Sequence, residues 1–280
     1  SRGLGDVYKR QTRHNLEMDF FGGEPLMNFD VVKQVVSYAR SKEKEYNKNF
    51  RFTITTNGLL LTDDKIEFIN REMSNCVLSL DGRKEVNDRL RIKINGKGCY
   101  DQIVPQYQKL VAGRGDKDYY ARGTFTKYNL DFTQDVLHMA DLGFDQVSVE
   151  PVVSDPMLDY SIKEEDLPRV FQEYETLANE LIQRKKEGNQ FVGNPEWKMG
   201  DLNDGSFNMD MKLRFAKSNV YSKHDCKSCW AKFYCSGGCN ANSWQYEGDI
   251  LKSHKISCDL EKKRLECAIM IKAALAAEES

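Results

Sequence analysis

Six of the eight cysteines in this 280-residue chain fall in its last 55 residues: Cys226, Cys229, Cys235, Cys239, Cys258 and Cys267. Five of them follow the pattern Cys226-x2-Cys229-x5-Cys235-x3-Cys239-x18-Cys258. A C-x2-C step lets two thiolates face one metal from a single turn of backbone. The glycines of Cys235-Ser-Gly-Gly-Cys239 let the backbone approach a metal closely, where N–H groups donate to sulfur. Three chemistries use such a group of thiols. A disulfide nest belongs to oxidising compartments. A structural zinc site needs only four cysteines. An iron–sulfur cluster suits five or six soft thiolates in a chain with only four histidines, and it is the favoured reading. Cys76 and Cys99, alone in the first 225 residues, are expected to be a buried thiol beside a strand and a loop thiol.

The second group with chemical potential is Asp19-Phe20-Phe21-Gly22-Gly23-Glu24-Pro25-Leu26. It reads as a strand that leaves through two glycines, an acid and a proline. At the carboxyl end of a parallel strand, glycines let backbone groups approach a ligand. Free carbonyls there, with the acid, suit an ammonium group. The structural alternative is a tight strand-to-helix turn with Pro25 opening the helix.

The elements that must position these groups alternate. Strands are expected at Asn15 to Phe21, Phe50 to Thr56, Val77 to Leu80, Tyr119 to Thr126 and Gln146 to Val152. Helical spacing runs over Asp30 to Lys44, Thr62 to Met73, Tyr100 to Ala112, Asp131 to Leu142, Lys163 to Lys186 and Asp259 to Ala277. A polar loop precedes Tyr100. The alternation argues for βαβ units and a parallel sheet, as a doubly wound sheet or a partial barrel. The Gly-, Asn- and Asp-rich stretch Gly188 to Gly205 is the expected junction with the cysteine-rich tail.

Composition removes other classes. Lys and Arg number 41 against 43 Asp and Glu, a net charge of −2, so no dedicated nucleic-acid surface is expected. No run has the length of a membrane span and none has the order of a signal peptide, so a cytoplasmic protein is expected. G-x-x-x-x-G-K-[ST], G-x-G-x-x-G, H-E-x-x-H and G-x-S-x-G are absent from the chain, which removes phosphate loops and triad hydrolysis.

Taken together, Gly22-Gly23-Glu24-Pro25, Thr56-Asn57-Gly58 and Ser79-Leu80-Asp81-Gly82 resemble, in order and spacing, the radical S-adenosylmethionine (SAM) enzymes. The cysteine tail resembles the SPASM extension, which carries auxiliary [4Fe–4S] clusters in peptide-modifying members. The phrases MDFFGGEPLMNFDVV, ARGTFTKYNLDFTQDVLHMADLGF, VSVEPVV and CKSCWAKFYCSGGCNAN are similar to the maturases of six-cysteine SCIFF peptides. The resemblance implies an α/β fold: a partial (β/α)6 barrel over residues 12–188, then a small SPASM iron–sulfur domain over 189–280. It implies a [4Fe–4S] cluster that reductively cleaves SAM to a 5′-deoxyadenosyl radical, which abstracts hydrogen from a bound Cys-rich precursor peptide. A peptide cysteine then closes a thioether. An external electron donor such as flavodoxin or ferredoxin is the further partner. By position, Gly22, Gly23, Glu24 and Pro25 would meet the methionine moiety. Ser79 and Arg122 are candidates for ribose and carboxylate, since the guanidinium fork holds two oxygens. Their plainer alternatives are a strand hydroxyl and a surface ion pair; Asn57 is a weaker candidate for the cofactor site, with the shaping of its own turn as the alternative. Cys226, Cys229, Cys235 and Cys258 would hold one auxiliary cluster and Cys239 would belong to another. Cys267 is expected to be a packing residue of the last helix.

The departures carry equal information. The family's C-x3-C-x2-C precedes the Gly-Gly-Glu-Pro strand, yet no cysteine precedes Cys76. The first βα unit is therefore expected to be missing, and the chain as given to be inactive alone. Asn189 runs straight into Gln190 where the family places early SPASM cysteines, which leaves Cys239 short of partners. Asp6-Val7-Tyr8-Lys9-Arg10-Gln11 looks like a translated sequencing adaptor, so residues 1–11 are expected to be a non-native leader.

Overall fold

A computed structural model describes residues 14–155, 157–186 and 218–276. The expected leader over 1–11 and the expected junction over 188–205 lie outside the described residues. The described chain groups into two compact units. One holds residues 14–124 and 134–150; the other holds 125–133, 151–186 and 218–276, apart from residue 156.

The first unit is built on a parallel sheet. Its strands are β1 (Asn15–Phe20), β2 (Asn49–Thr56), β3 (Asn75–Ser79), β4 (Tyr120–Phe125) and β5 (Val147–Pro151). They lie in the order β1-β2-β3-β4-β5, each beside its successor in sequence. A doubly wound sheet reverses direction at a switch point, so this unbroken order selects the partial barrel from the two architectures the sequence leaves open. Between the strands run α1 (Phe29–Tyr46), α2 (Asp63–Glu72), α3 (Lys84–Leu90), α4 (Tyr100–Ala112) and α5 (Phe132–Asp141). The expected elements of this unit are present within two residues. The exception is α3, which forms where the sequence suggests a polar loop. Its seven residues carry too few apolar positions for a helical period to be visible.

The strands alternate in burial, and the alternation divides the sheet into two faces. Phe52 and Ile54 of β2, Cys76 and Leu78 of β3 and Ala121 of β4 are fully buried. This is the face covered by helices: Val32, Val36 and Ala39 of α1 are buried, as are Ile103, Tyr107 and Leu110 of α4. The opposite face carries Glu17 and Asp19, Arg51 and Thr53, Ser79, and Arg122, all half-buried or exposed. Parallel register places Glu17 beside Arg51, Asp19 beside Thr53 and Ser79 beside Arg122. The sheet therefore has a polar side that its helices leave uncovered.

The second unit pairs two long helices. The expected helix over Lys163 to Lys186 opens as a 3-10 turn, Glu164–Asp166, and continues as α6 (Leu167–Lys186). Beyond the undescribed stretch come α7 (Lys232–Cys235), α8 (Asn240–Glu247) and α9 (Lys255–Ala276). Helix α9 packs along α6, with Lys263 paired to Glu175 and Lys255 to Glu164 at the rim. Tyr174 of α6 meets the stacked rings of Phe125 and Phe132, whose centroids lie 4.3 Å apart. No helix of the described residues is long and apolar enough to cross a membrane.

Candidate functional site

The parallel strands all end at one edge, and there the Gly-Gly-Glu-Pro segment is tightly built. Gly22 and Gly23 take φ of 89° and 41°, the left-handed region that side chains resist. Glu24 then caps the 3-10 turn Pro25–Asn28, with Pro25 in its first position. This is the strand-to-helix turn given above as the structural alternative. The turn reaches further than itself, however. Glu24 Oε1 accepts from the Leu26 amide at 3.0 Å and from the Thr56 hydroxyl at 2.8 Å, and Oε2 accepts from the Asn57 amide at 2.7 Å. One carboxylate thus joins the exits of β1 and β2.

The next exits are tied in the same way. Asn57 Oδ1 accepts from the Leu59 amide at 3.0 Å, an Asx turn, so Asn57 does shape its own loop. Fully buried Tyr107 donates from its hydroxyl to the carbonyls of Thr56 and Ser79, both at 3.2 Å. Burial pushes its phenol well above the ordinary value, so it stays a donor. Gly58, at φ 76°, passes so close to that ring that a Cβ would lie 2.5 Å from it. After β3, buried Asp81 holds Arg91 by two bonds of 2.7 and 2.8 Å and accepts from the Thr124 amide at 2.9 Å. Asp135, with no exposed side chain, accepts from the Arg83 amide at 3.0 Å and from its Nε at 2.8 Å. Gly82 leaves room for Asp135, where a Cβ would lie 2.2 Å away.

Ser79 and Arg122 stand side by side in register on the polar side of the sheet. Arg122 is exposed, and no ion pair to it is found among the described residues. Sequence reasoning missed Tyr107, Asp135 and Arg91, which fix this edge from the helices. Each reads along the chain as an ordinary helical or loop residue, and only the Asp81-Gly82 pair hinted at their target.

The second unit gathers the thiols. Cys226 ends a 3-10 turn, His224–Cys226, and the Cys229 amide donates to the Cys226 carbonyl at 3.2 Å. Cys235 closes α7 and is followed by Ser236, Gly237 and Gly238 at φ 56°, 98° and 76°. That left-handed run folds the chain back on itself, and the Gly238 amide donates to the Cys235 carbonyl at 3.3 Å. Cys258 lies in the first turn of α9. Cys226, Cys229, Cys235 and Cys258 line one cavity of about 350 Å³, together with Ala231, Gly237 and Ser253. Cys239 is exposed and is not among its lining residues. Burial, with the neighbouring Cys235 and Cys226 adding to it, pushes the Cys258 thiol up to about 11. Cys267 is buried on α9, in keeping with packing. Cys99 is the N-cap before α4, a loop position as expected, and its side chain is buried.

The donor set can be tested against the two metals it suits. Tetrahedral zinc requires every sulfur at about 2.3 Å from one point. Among the described residues, no three His, Cys, Asp or Glu side chains converge in that way. A four-iron cluster gives each thiolate its own iron and spreads the ligands around a larger body. Four thiols around an open cavity fit that second arrangement.

A family model for a 4Fe-4S single cluster domain matches residues 6–105. Cys76 and Cys99 are the cysteines of that span, both buried in the first unit. The cysteine-type anaerobic sulfatase-maturating enzyme of Clostridium novyi is 30% identical over 105 residues, covering 36% of this chain and 28% of that one. The radical SAM cyclopropyl synthase TigE of Paramaledivibacter caminithermalis is 21% identical over 292 aligned residues, covering 88% of this chain and 59% of that one. Among solved structures, anSMEcpe with bound AdoMet and the Kp18Cys peptide matches at a TM-score of 0.75 and 17% identity, over 98% of this chain and 90% of that one. The chain is similar in sequence to the first two of these enzymes, the second of them a radical SAM enzyme. It shares the fold of that solved enzyme, and it spans 28% and 59% of the two sequence relatives' own length. In this chain, the polar sheet edge and the thiol cavity are the two places where chemistry is concentrated.

Proposed function

We propose that this chain is part of a radical SAM peptide maturase, one that forms Cys-derived thioether crosslinks in a ribosomally made, six-cysteine precursor peptide. The observation that carries the reading is the convergence of Cys226, Cys229, Cys235 and Cys258 on one cavity, in a chain whose other unit has the radical SAM fold. An auxiliary [4Fe–4S] cluster held there would supply one-electron chemistry. The chain's own residues do the rest. The carbonyls of Gly22 and Gly23 offer acceptors to the SAM ammonium. Glu24 has about four lone-pair positions and spends three on protein donors, which leaves one for the same ammonium. Ser79 and Arg122 present a hydroxyl and an unpaired fork to ribose and carboxylate. The Cys-rich peptide would lie against the polar side of the sheet, and a small electron carrier such as flavodoxin or ferredoxin would serve the cluster. With no C-x3-C-x2-C in the sequence, the chain on this reading binds the auxiliary cluster and does not open SAM alone.

A second reading within the same class, a maturase of sulfatases, is favoured by the Clostridium novyi relative. Anaerobic reconstitution separates these ideas from a zinc protein. About four iron and four sulfide per chain, with a brown chromophore, is expected. One zinc and no colour would sink the cluster. Adding a C-x3-C-x2-C-bearing radical SAM segment, SAM, a one-electron reductant and a Cys-rich peptide should then yield a peptide two mass units lighter with a thioether. The two hydrogens leave as one in 5′-deoxyadenosine and one thiol proton, with the remaining electron taken up by a cluster. Conversion of a sulfatase peptide cysteine to an aldehyde, with no thioether in the Cys-rich peptide, would favour the second reading.

A further inference from the structure

Lys223 is the one described lysine that ranks among the largest fully buried side chains, with 1% of its surface exposed. Its ammonium donates to the Gly237 carbonyl at 2.9 Å, to Asn240 Oδ1 at 3.2 Å and to Ser243 Oγ at 3.3 Å. All three of its protons are thereby used, and all three acceptors are neutral. No carboxylate pairs with it among the described residues. A buried cation without a counter-ion is costly, and chains keep one where an anion is to be met.

The anion has a place beside it. The Gly237 carbonyl that accepts from Lys223 belongs to the turn that carries Cys235 and lines the cavity at Gly237. The next amide, that of Gly238, donates to the Cys235 carbonyl at 3.3 Å and closes that turn. Lys223 therefore stands one hydrogen bond behind the cavity wall, buried where Lys232, Lys255 and Lys262 of the lining are half-buried or exposed. Four thiolates around a four-iron core leave it net negative at either oxidation level, and more so when reduced.

From this geometry we infer that Lys223 is the built-in counter-cation of the thiol cavity, a positioning residue that favours the reduced state of the cluster bound there. The inference rests on the cluster reading above, and its test keeps the two apart. The full chain and its Lys223→Gln, Lys223→Met and Lys223→Arg variants are reconstituted anaerobically with iron and sulfide. The midpoint potential is then read by EPR-monitored redox titration. Both neutral variants should be harder to reduce by about tenfold in the reduced-to-oxidised ratio, ~59 mV for one electron, with the Arg variant close to the parent. A neutral variant with the parent's potential overturns the proposal. Loss of iron from both neutral variants, with retention in the Arg variant, supports it; loss from all three shows that shape and not charge matters, and overturns it. A parent chain that takes zinc and no iron sinks the cluster reading alone. Lys223 is then judged by zinc competition, where about tenfold weaker binding in Lys223→Gln supports the proposal and equal binding refutes it. A parent that binds neither metal overturns both.

Discussion

The sheet edge and the thiol cavity are two sites built by opposite means. At the sheet edge every loop is closed by protein alone: Glu24 joins two strand exits, Tyr107 joins two more carbonyls, and Asp81 and Asp135 pin the loop after β3. In the cavity the thiols face a common space but do not converge on a point. One site is preorganised by hydrogen bonds; the other is completed by what it binds. Binding free energy at such a metal site is also folding free energy, so the second unit should depend on its metal and the first should not.

The sharpest way to break that contrast is Cys235→Ser. Iron retention should fall to near zero, and with it the metal-dependent part of the second unit's thermal stability. The first unit's melting transition should stay in place. A single transition that shifts as a whole would show that the two units do not respond separately. A smaller effect is expected at Asp81→Asn, which leaves the Arg91 guanidinium short of its charge partner in a mostly buried position. Breaking a buried pair from one side costs about 3 kcal/mol, here confined to the first unit and visible in urea unfolding with iron content unchanged. Gly58→Ala is expected to cost about 2 kcal/mol, because its Cβ must enter the Tyr107 ring at a left-handed φ. Adding Tyr107→Phe, which keeps the ring carbons nearest that Cβ and removes the hydroxyl's bonds, should recover none of that loss, and recovery would locate the clash at the hydroxyl instead.

Much of this arrangement is legible along the chain. The period-two and helical patterns place all five strands and the long helices, because each buries one face against a shared core. The C-x2-C-x5-C spacing with its two glycines marks the cavity, because thiol geometry is local. What is not legible is long-range. Nothing in Tyr107 distinguishes it from any core tyrosine until β2 and β3 bring the Thr56 and Ser79 carbonyls to it. Lys223 reads as one more surface lysine until the Gly237 turn folds over it. Thr62, the N-cap residue of α2, gives its hydroxyl to the Asp64 carboxylate and accepts from no backbone amide of the turn, a local competition that residue type alone does not resolve.

The finest distinction between the regions lies in their spare thiols. Cys76 sits on β3 with none of its surface exposed, and burial, only partly offset by Arg114, pushes its thiol up to about 12. The thiolate is the nucleophile, so at pH 8 only about one molecule in ten thousand carries it at Cys76. Cys239 is exposed at the amino end of α8, outside the thiol cavity. Brief alkylation of the native, metal-loaded chain with iodoacetamide should therefore label Cys239 first and Cys76 last, as read by peptide mass spectrometry. The cavity cysteines should join Cys239 only after a chelator removes the metal, while Cys76 should wait for unfolding. Raising the pH from 7 to 9 should leave Cys76 unlabelled. Early labelling of Cys76 would mean that the sheet opens readily and that its hydrogen-bonded edge is less firmly built than the bonds of Glu24 and Tyr107 imply.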